Sequence, residues 1–225
     1  MYPVMLNLQG KKVLFIGGGL ETASKVQKLL EQGAWVRLIS PLHHPELEEA
    51  LRQGRLEWQQ RSYTYGDLAG FVLCFSHPVD PSLNSIIAQE ARERGVWLNA
   101  VDDPPHCDFI LPSVHRQGDL VLAVSTSGVA PALAVRIRER LAAEYGPEYA
   151  EYLELLRSFR PLVKQAYPHS FEARKAAWYR MIDSEALDLI FLGEHERARA
   201  VLLQSLYDPN SVRQMGKPTP SVEVV

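Results

Sequence analysis

Over the first hundred residues, short apolar runs alternate with segments of helical period. Residues 11–16 form a compact run of β-branched and apolar side chains, followed at once by Gly17-Gly18-Gly19. Residues 20–32 then place Ala23, Val26, Leu29 and Leu30 at helical spacing, with Gly33 where a C-terminal cap belongs. Residues 35–39 form a second apolar run, closed by Ser40-Pro41. Together these segments make one βαβ unit, which implies a parallel sheet. The alternation continues with a helix over 45–53, strands over 56–59 and 71–75, a helix over 81–94 and a fifth strand over 96–100. Strand and helix alternating this regularly predict a doubly wound α/β fold.

After residue 108 the pattern changes. Residues 109–114 and 120–125 read as two strands joined by Arg116-Gln117-Gly118-Asp119, a hairpin turn. From Pro131 to about Tyr207 the period is helical, interrupted near Gly146-Pro147, Tyr167-Pro168 and Gly193. The stretch from Asp208 has no periodicity and reads as a frayed tail.

Composition narrows the class. With 225 residues, of which 46% are hydrophobic and 23% charged, the chain can bury a sizeable core without staples. A net charge of −3 gives no general attraction to nucleic acid or membrane surfaces, so any basic patch is local. The two cysteines, Cys74 and Cys107, do not form a CxxC pair and point to a reducing compartment. The stretch from Met1 to Leu6 lacks the basic and long apolar regions of a signal peptide. No apolar run approaches a membrane span, and the expected location is the cytoplasm.

The first candidate chemistry sits between the first strand and helix, at Gly17-Gly18-Gly19-Leu20-Glu21-Thr22. Glycines there let the backbone turn tightly and approach a pyrophosphate, which the helix N-terminus stabilises. Thr22 stands where the usual third glycine would, so helix and strand are expected to pack slightly further apart. The second strand ends in Ser40-Pro41 rather than the usual acidic residue, and no Arg follows to bind a 2′-phosphate. This favours NAD over NADP. The expected cofactor residues are Gly17, Gly18, Gly19, Leu20, Glu21, Ser40, Pro41 and Ser76. His43-His44 reads as a solvated loop, and adjacent His106-Cys107 would chelate poorly, so no metal site is expected.

The segment from Asn99 to Phe109 holds Asp102, Asp103, His106, Cys107 and Asp108 at the carboxyl end of the fifth strand, the edge where open α/β sheets bind ligands. A carboxylate there suits taking a proton while a hydride leaves; a proline-braced polar loop is the plainer reading of the same residues. Ser125-Thr126-Ser127-Gly128 before Pro131 reads as a helix-capping loop that also leaves N–H groups free for anions. Arg136, Arg138 and Arg140 on the following helix do not all share one face. The later Tyr and Trp residues read as core or interface aromatics.

In this order and spacing, several segments resemble the precorrin-2 dehydrogenase family, the dehydrogenase/ferrochelatase module of siroheme synthase, in its stand-alone bacterial type. They are residues 5–10, Gly17-Gly18-Gly19 with Lys25, Gly33-Ala34, Asn99-Ala100-Val101-Asp102, Phe109-Ile110-Leu111-Pro112-Ser113, and residues 123–128 with Pro131. The resemblance covers residues 1–145 well and the rest in outline. It implies an NAD-binding Rossmann domain over 1–113, a small mixed dimerisation region over 114–146, and a helical domain with a flexible tail over 147–225. It also implies a homodimer that oxidises precorrin-2, an acidic tetrapyrrole, to sirohydrochlorin, with Fe(II) insertion in some members. Asp102 matches the family's important aspartate, and Thr126 stands where its loop has serine. Ser24 replaces a usual arginine and leaves Lys25 as the cation of that turn. Lys25, Thr126, Ser127, Gly128 and Arg136, with Arg140 beside them, are the expected substrate contacts. Two alternatives remain open: an NAD-binding sensor or regulatory module without catalysis, and a dehydrogenase of another small acid.

Overall fold

A computed structural model describes residues 1–207, which fall into two compact units divided between Leu111 and Pro112. The tail read from Asp208 lies outside the described residues.

The first unit runs β1 (Lys12–Ile16), α1 (Leu20–Glu31), β2 (Trp35–Ile39), a 3-10 turn (Pro45–Leu47) leading into α2 (Glu48–Arg52), β3 (Leu56–Gln59), β4 (Leu73–Ser76), α3 (Leu83–Arg94) and β5 (Trp97–Ala100). The strands pair in the order β3-β2-β1-β4-β5, and every pairing is parallel. Side chains alternate across the sheet. Val13, Phe15, Val36, Leu38, Leu73 and Phe75 pack with Ala23, Val26, Leu47 and Ala50, which come from α1, the 3-10 turn and α2. Leu14, Ile16, Ile39, Cys74 and Leu98 pack with Ile87, Ala88 and Ala91 of α3. With both faces covered, the central strands are apolar throughout, as doubly wound sheets require. Phe15 and Phe75 face each other in register and stack with ring centroids 4.7 Å apart. The chain runs outward from β1 in both directions, so the switch point lies between β1 and β4. That is where such sheets open a crevice at the carboxyl ends of the strands.

The connection from β3 to β4 is anchored by a fully buried carboxylate. Glu90 of α3 accepts from the hydroxyl of Tyr63 (2.5 Å), the amides of Gly66 (2.9 Å) and Leu68 (3.1 Å), and Nε of Arg94 (2.5 Å). Burial and this hydrogen bond hold the Tyr63 phenol well above its ordinary pKa. Glu90→Ala would leave two amides without an acceptor and is expected to destabilise the fold by about 3 kcal/mol. Urea unfolding with an unchanged m-value measures this; a loss within experimental error would show that water replaces the carboxylate.

The second unit opens with an antiparallel hairpin, β6 (Ser113–Gln117) and β7 (Leu120–Val124), followed by α4 (Pro131–Glu144), α5 (Glu148–Ala166), α6 (Phe171–Ile182), α7 (Ala186–Phe191) and α8 (His195–Tyr207). Gln117 pairs with Leu120, so the turn is the two residues Gly118-Asp119. Gly118 has φ +55°, the positive angle that tight hairpins ask of their first central residue. The first hairpin strand therefore begins at Ser113, not at residue 109. Phe109 instead turns its ring edge-on to Phe75 (5.5 Å), and its carbonyl accepts from Asn99 (2.9 Å). A break at residues 183–185 also divides what the sequence reads as one helix, and Ser184 caps the resumption by accepting from the amide of Ala186 (3.3 Å). Phe159, Met181, Leu189 and Leu202 centre the helical core.

Candidate functional site

The turn from β1 to α1 lies at the switch point, and its three glycines have different reasons for being there. Gly17 adopts φ +99°, and a Cβ added to it would fall on the carbonyl oxygen of His77. A Cβ on Gly18 would fall on the carbonyl oxygen of Leu42 and lie 2.8 Å from Oγ of Ser40. The protein itself excludes side chains at both positions. Gly19 differs: nothing lies within 4 Å of its Cβ direction. It is also the N-cap of α1, with no side chain capping the helix. The amides of the first turn, whose leading residues Leu20 and Glu21 are exposed, thus face an open cradle. Open space, uncapped amides and the positive end of a helix dipole suit a pyrophosphate. Lys25 pairs with Glu21 at 3.3 Å and, with the buried Thr22, lines a narrow crevice shared with Phe15, Phe75, His77 and Val101.

Ser40 is buried at the end of β2; its amide donates to Gln59 (3.2 Å), and its carbonyl accepts from the Trp58 indole (2.9 Å). Pro41 is exposed beside it. Ser76, at the end of β4, is fully buried and donates its hydroxyl to Oδ1 of Asn84 (2.7 Å). The Asn84 amide in turn donates to Asp103 (3.1 Å), whose same oxygen lies 2.8 Å from Nδ1 of His106. This chain of polar contacts ties β4 and α3 to the loop after β5. Sequence reasoning missed Asn84: as an Asn in a helix it shows no signal of the Asp103 contact, which is made 19 positions away.

The loop is braced again around Asp102. Val101 donates to the carbonyl of Ser76 (2.8 Å), and Asp108 accepts from Leu98 (2.9 Å). Cys107 donates its thiol to the carbonyl of Ala100 (3.1 Å). Burial raises the Cys107 thiol pKa, and the charges of Asp103 and Asp108 act in the same direction. Within this frame Asp102 has φ +60°, is exposed, and makes no hydrogen bond or ion pair with another described residue. A left-handed residue other than glycine costs on the order of 1 kcal/mol, so the loop over-determines it. Among the described residues only Asp102 and Ser127 are non-glycine residues with positive φ. Both were singled out from sequence for other reasons. The first unit therefore gathers Gly17, Gly18, Gly19, Ser40, Ser76 and Asp102 along the carboxyl edge of its sheet.

In the second unit, Ser125 to Gly128 form a tight loop before α4. Oγ of Ser125 accepts from the amide of Ser127, and Oγ1 of Thr126 accepts from the amide of Ala130, both at 3.1 Å. Ser127 (φ +53°) and Gly128 (φ +84°) reverse the chain. The Thr126 hydroxyl thus braces the loop, and the exposed Ser127 and Gly128 remain open to solvent. Pro131 opens α4, which has no side-chain cap. Arg136 and Arg140 are exposed on one face of α4 without ion-pair partners among the described residues, whereas Arg138 pairs with Glu139 (3.4 Å). No group of three or more His, Cys, Asp or Glu side chains suited to a metal occurs among the described residues.

Comparison with known proteins places these features in a family context. Residues 4–113 match the family described as putative NAD(P)-binding, residues 117–144 the sirohaem biosynthesis protein central region, and residues 148–206 the sirohaem synthase dimerisation region. A siroheme synthase of Nitrosococcus oceani is 32% identical over 204 residues, covering 91% of this chain and 43% of that protein. The siroheme synthase of Azotobacter vinelandii is 33% identical over 200 residues, covering 89% of this chain and 43% of that protein. The chain thus spans less than half the length of the curated relatives it matches. A solved structure titled SirC, precorrin-2 dehydrogenase, has the same fold, with a TM-score of 0.75, 24% identity, and coverage of 91% of this chain and 100% of that one.

Proposed function

The chain belongs to the siroheme synthase family, and from that premise we propose that it oxidises precorrin-2 to sirohydrochlorin, with NAD as the hydride acceptor. The observation that carries the reading is the pairing of two features on one sheet edge. One is a glycine turn whose last glycine faces an open, uncapped helix end. The other is an unpartnered carboxylate held in a strained conformation.

Gly17, Gly18 and Gly19, with the exposed Leu20 and Glu21, would hold the pyrophosphate, and Ser40 and Pro41 flank the ribose side of the turn. The absence of an Arg after Ser40 supports NAD over NADP. NAD, when bound, supplies the acceptor for a hydride from the macrocycle. Asp102 then takes the proton released at the same oxidation, and its freedom from internal partners leaves it able to do so. Ser76 acts beneath the cofactor edge, through Asn84, to fix the loop that aims Asp102. Lys25 supplies a cation beside the glycine turn. Separately, Thr126 and Ser127 shape the loop before α4, where the exposed Gly128 and the Arg136 guanidinium are groups suited to carboxylates such as those of the substrate. Specificity then rests on positioning, since the driving force lies in substrate and cofactor.

We further infer a cytoplasmic homodimer whose chain divides at 113 and 146, into the NAD-binding domain, the hairpin and α4 segment, and the helical segment. Among the described residues no helix is long and apolar enough to cross a membrane. The test is an anaerobic assay of purified protein with precorrin-2 and NAD, followed by addition of Fe(II). Sirohydrochlorin forming only with NAD is the expected result, and faster metal insertion than in buffer would add chelation. NAD binding without product would instead make the chain a nucleotide-sensing module.

A further inference from the structure

The second unit contains a groove that neither the cofactor turn nor the Asp102 loop uses. It lies open between α5 and α6, with a volume of about 780 Å³ and no acidic residue in its lining. Its size falls within the roughly 300–1,000 Å³ of ligand pockets. On α5, Arg160 and Lys164 stand one turn apart; on α6, Lys175, Trp178 and Ile182 follow helical spacing with Tyr179 beside them. Arg160, Lys164 and Lys175 have no ion-pair or hydrogen-bond partner among the described residues. Arg174, at the end of the groove, is spent on the carbonyls of Tyr167 (2.8 Å) and Pro168 (3.2 Å).

Trp178 both packs against the helical core and lines the groove, whereas Tyr179 and Ile182 on the same face are not part of that core. Ala177 and Met181 point into the helical core, fully buried. Tyr179 and Ile182 remain 57% and 49% exposed. Three unpaired cations beside an exposed aromatic floor, in a chain of net charge −3, are a local inversion of the surface. Cations without acids favour an anion, and a lining that includes Phe171, Trp178 and Tyr179 favours one carried on a ring system over a compact anion such as free phosphate. Every lining residue falls within residues 148–206, the region matching the sirohaem synthase dimerisation region, so a second copy of the chain is the competing occupant. Cations without a single acid in the lining favour a small-molecule anion over it.

We propose that the α5–α6 groove binds a planar macrocyclic polycarboxylate, the chemical class to which the reactant and product of the proposed oxidation belong. That identification of the natural ligand rests on the function proposed above; the charge and shape of the groove do not. The probe is uroporphyrin, a planar ring with a carboxylate-rich rim, titrated into the full chain by fluorescence at two salt concentrations. Lys164→Glu with Lys175→Glu is expected to weaken binding by about tenfold or more, while Lys164→Arg with Lys175→Arg retains it. Both residues are exposed and unpaired, so both variants are expected to fold. Equal affinity of the charge-reversed and native proteins would overturn the proposal. So would a charge-reversed protein whose change is in oligomeric state by light scattering, because the groove would then be a contact between copies. NAD-dependent oxidation measured on the same samples separates the two readings. Groove-dependent porphyrin binding without any oxidation removes the proposed function and leaves the groove; oxidation with groove-independent binding does the reverse.

Discussion

Replacing Asp102 with Asn is expected to lower NAD-dependent turnover by about 10²–10⁴-fold, the usual worth of a positioned general base. The substitution isolates the chemistry unusually well. Asn has the same shape and tolerates the left-handed conformation nearly as readily as Asp, so φ +60° is preserved. Because the carboxylate has no partner among the described residues, no hydrogen bond or ion pair within the fold is lost. The contacts that set the loop belong to Val101, Asp103, Cys107 and Asp108 and remain in place. NAD affinity and the urea midpoint are therefore expected to stay at their native values while kcat falls. Unchanged kcat would remove Asp102 from the reaction and hand the proton to solvent. A loss of NAD affinity equal to the loss of turnover would make Asp102 a cofactor contact instead.

How far the sequence reveals this arrangement depends on the range of the interactions. The βαβ unit is legible because its signals are local: apolar runs at period two or at helical period, closed by Gly33 or Ser40-Pro41. The carboxyl-edge position of Asp102 follows from the same alternation. Its strained backbone does not, because φ at that residue is imposed by contacts made by its neighbours, including Val101 to the carbonyl of Ser76. The polar chain from Ser76 through Asn84 to Asp103 is likewise invisible, since its members lie on β4, α3 and the loop after β5. The start of the hairpin was displaced for a related reason. Phe109 has strand propensity, but its ring contact with Phe75 and its carbonyl's bond to Asn99 tie it to the first sheet. Tertiary contacts outweighed local preference there. The groove between α5 and α6 shows the opposite limit: the spacing of its residues is readable, but their role depends on which helix face the core leaves bare.

The glycine turn allows ligand and scaffold to be separated by a matched pair of substitutions. Gly18→Ala places a Cβ on the carbonyl oxygen of Leu42, which backbone cannot yield without moving the loop after β2. It is expected to cost about 3 kcal/mol of stability, and NAD binding would fall with the fold. Gly19→Ala meets nothing within 4 Å, and its backbone, φ −74° and ψ 178°, is open to any residue. Its unfolding free energy is therefore expected to stay within about 0.5 kcal/mol of native. The same methyl group would nevertheless stand in the cradle over the uncapped end of α1. If pyrophosphate lies there, NAD affinity falls about tenfold or more, because both the close approach and the amide contacts are lost together. Calorimetric titration with NAD beside urea unfolding reads both quantities. Stability lost at Gly18 and affinity lost at Gly19 is the pattern that a nucleotide over this turn produces. Native NAD affinity in stable Gly19→Ala would place the cofactor elsewhere on the sheet edge and leave the open space at Gly19 without a ligand.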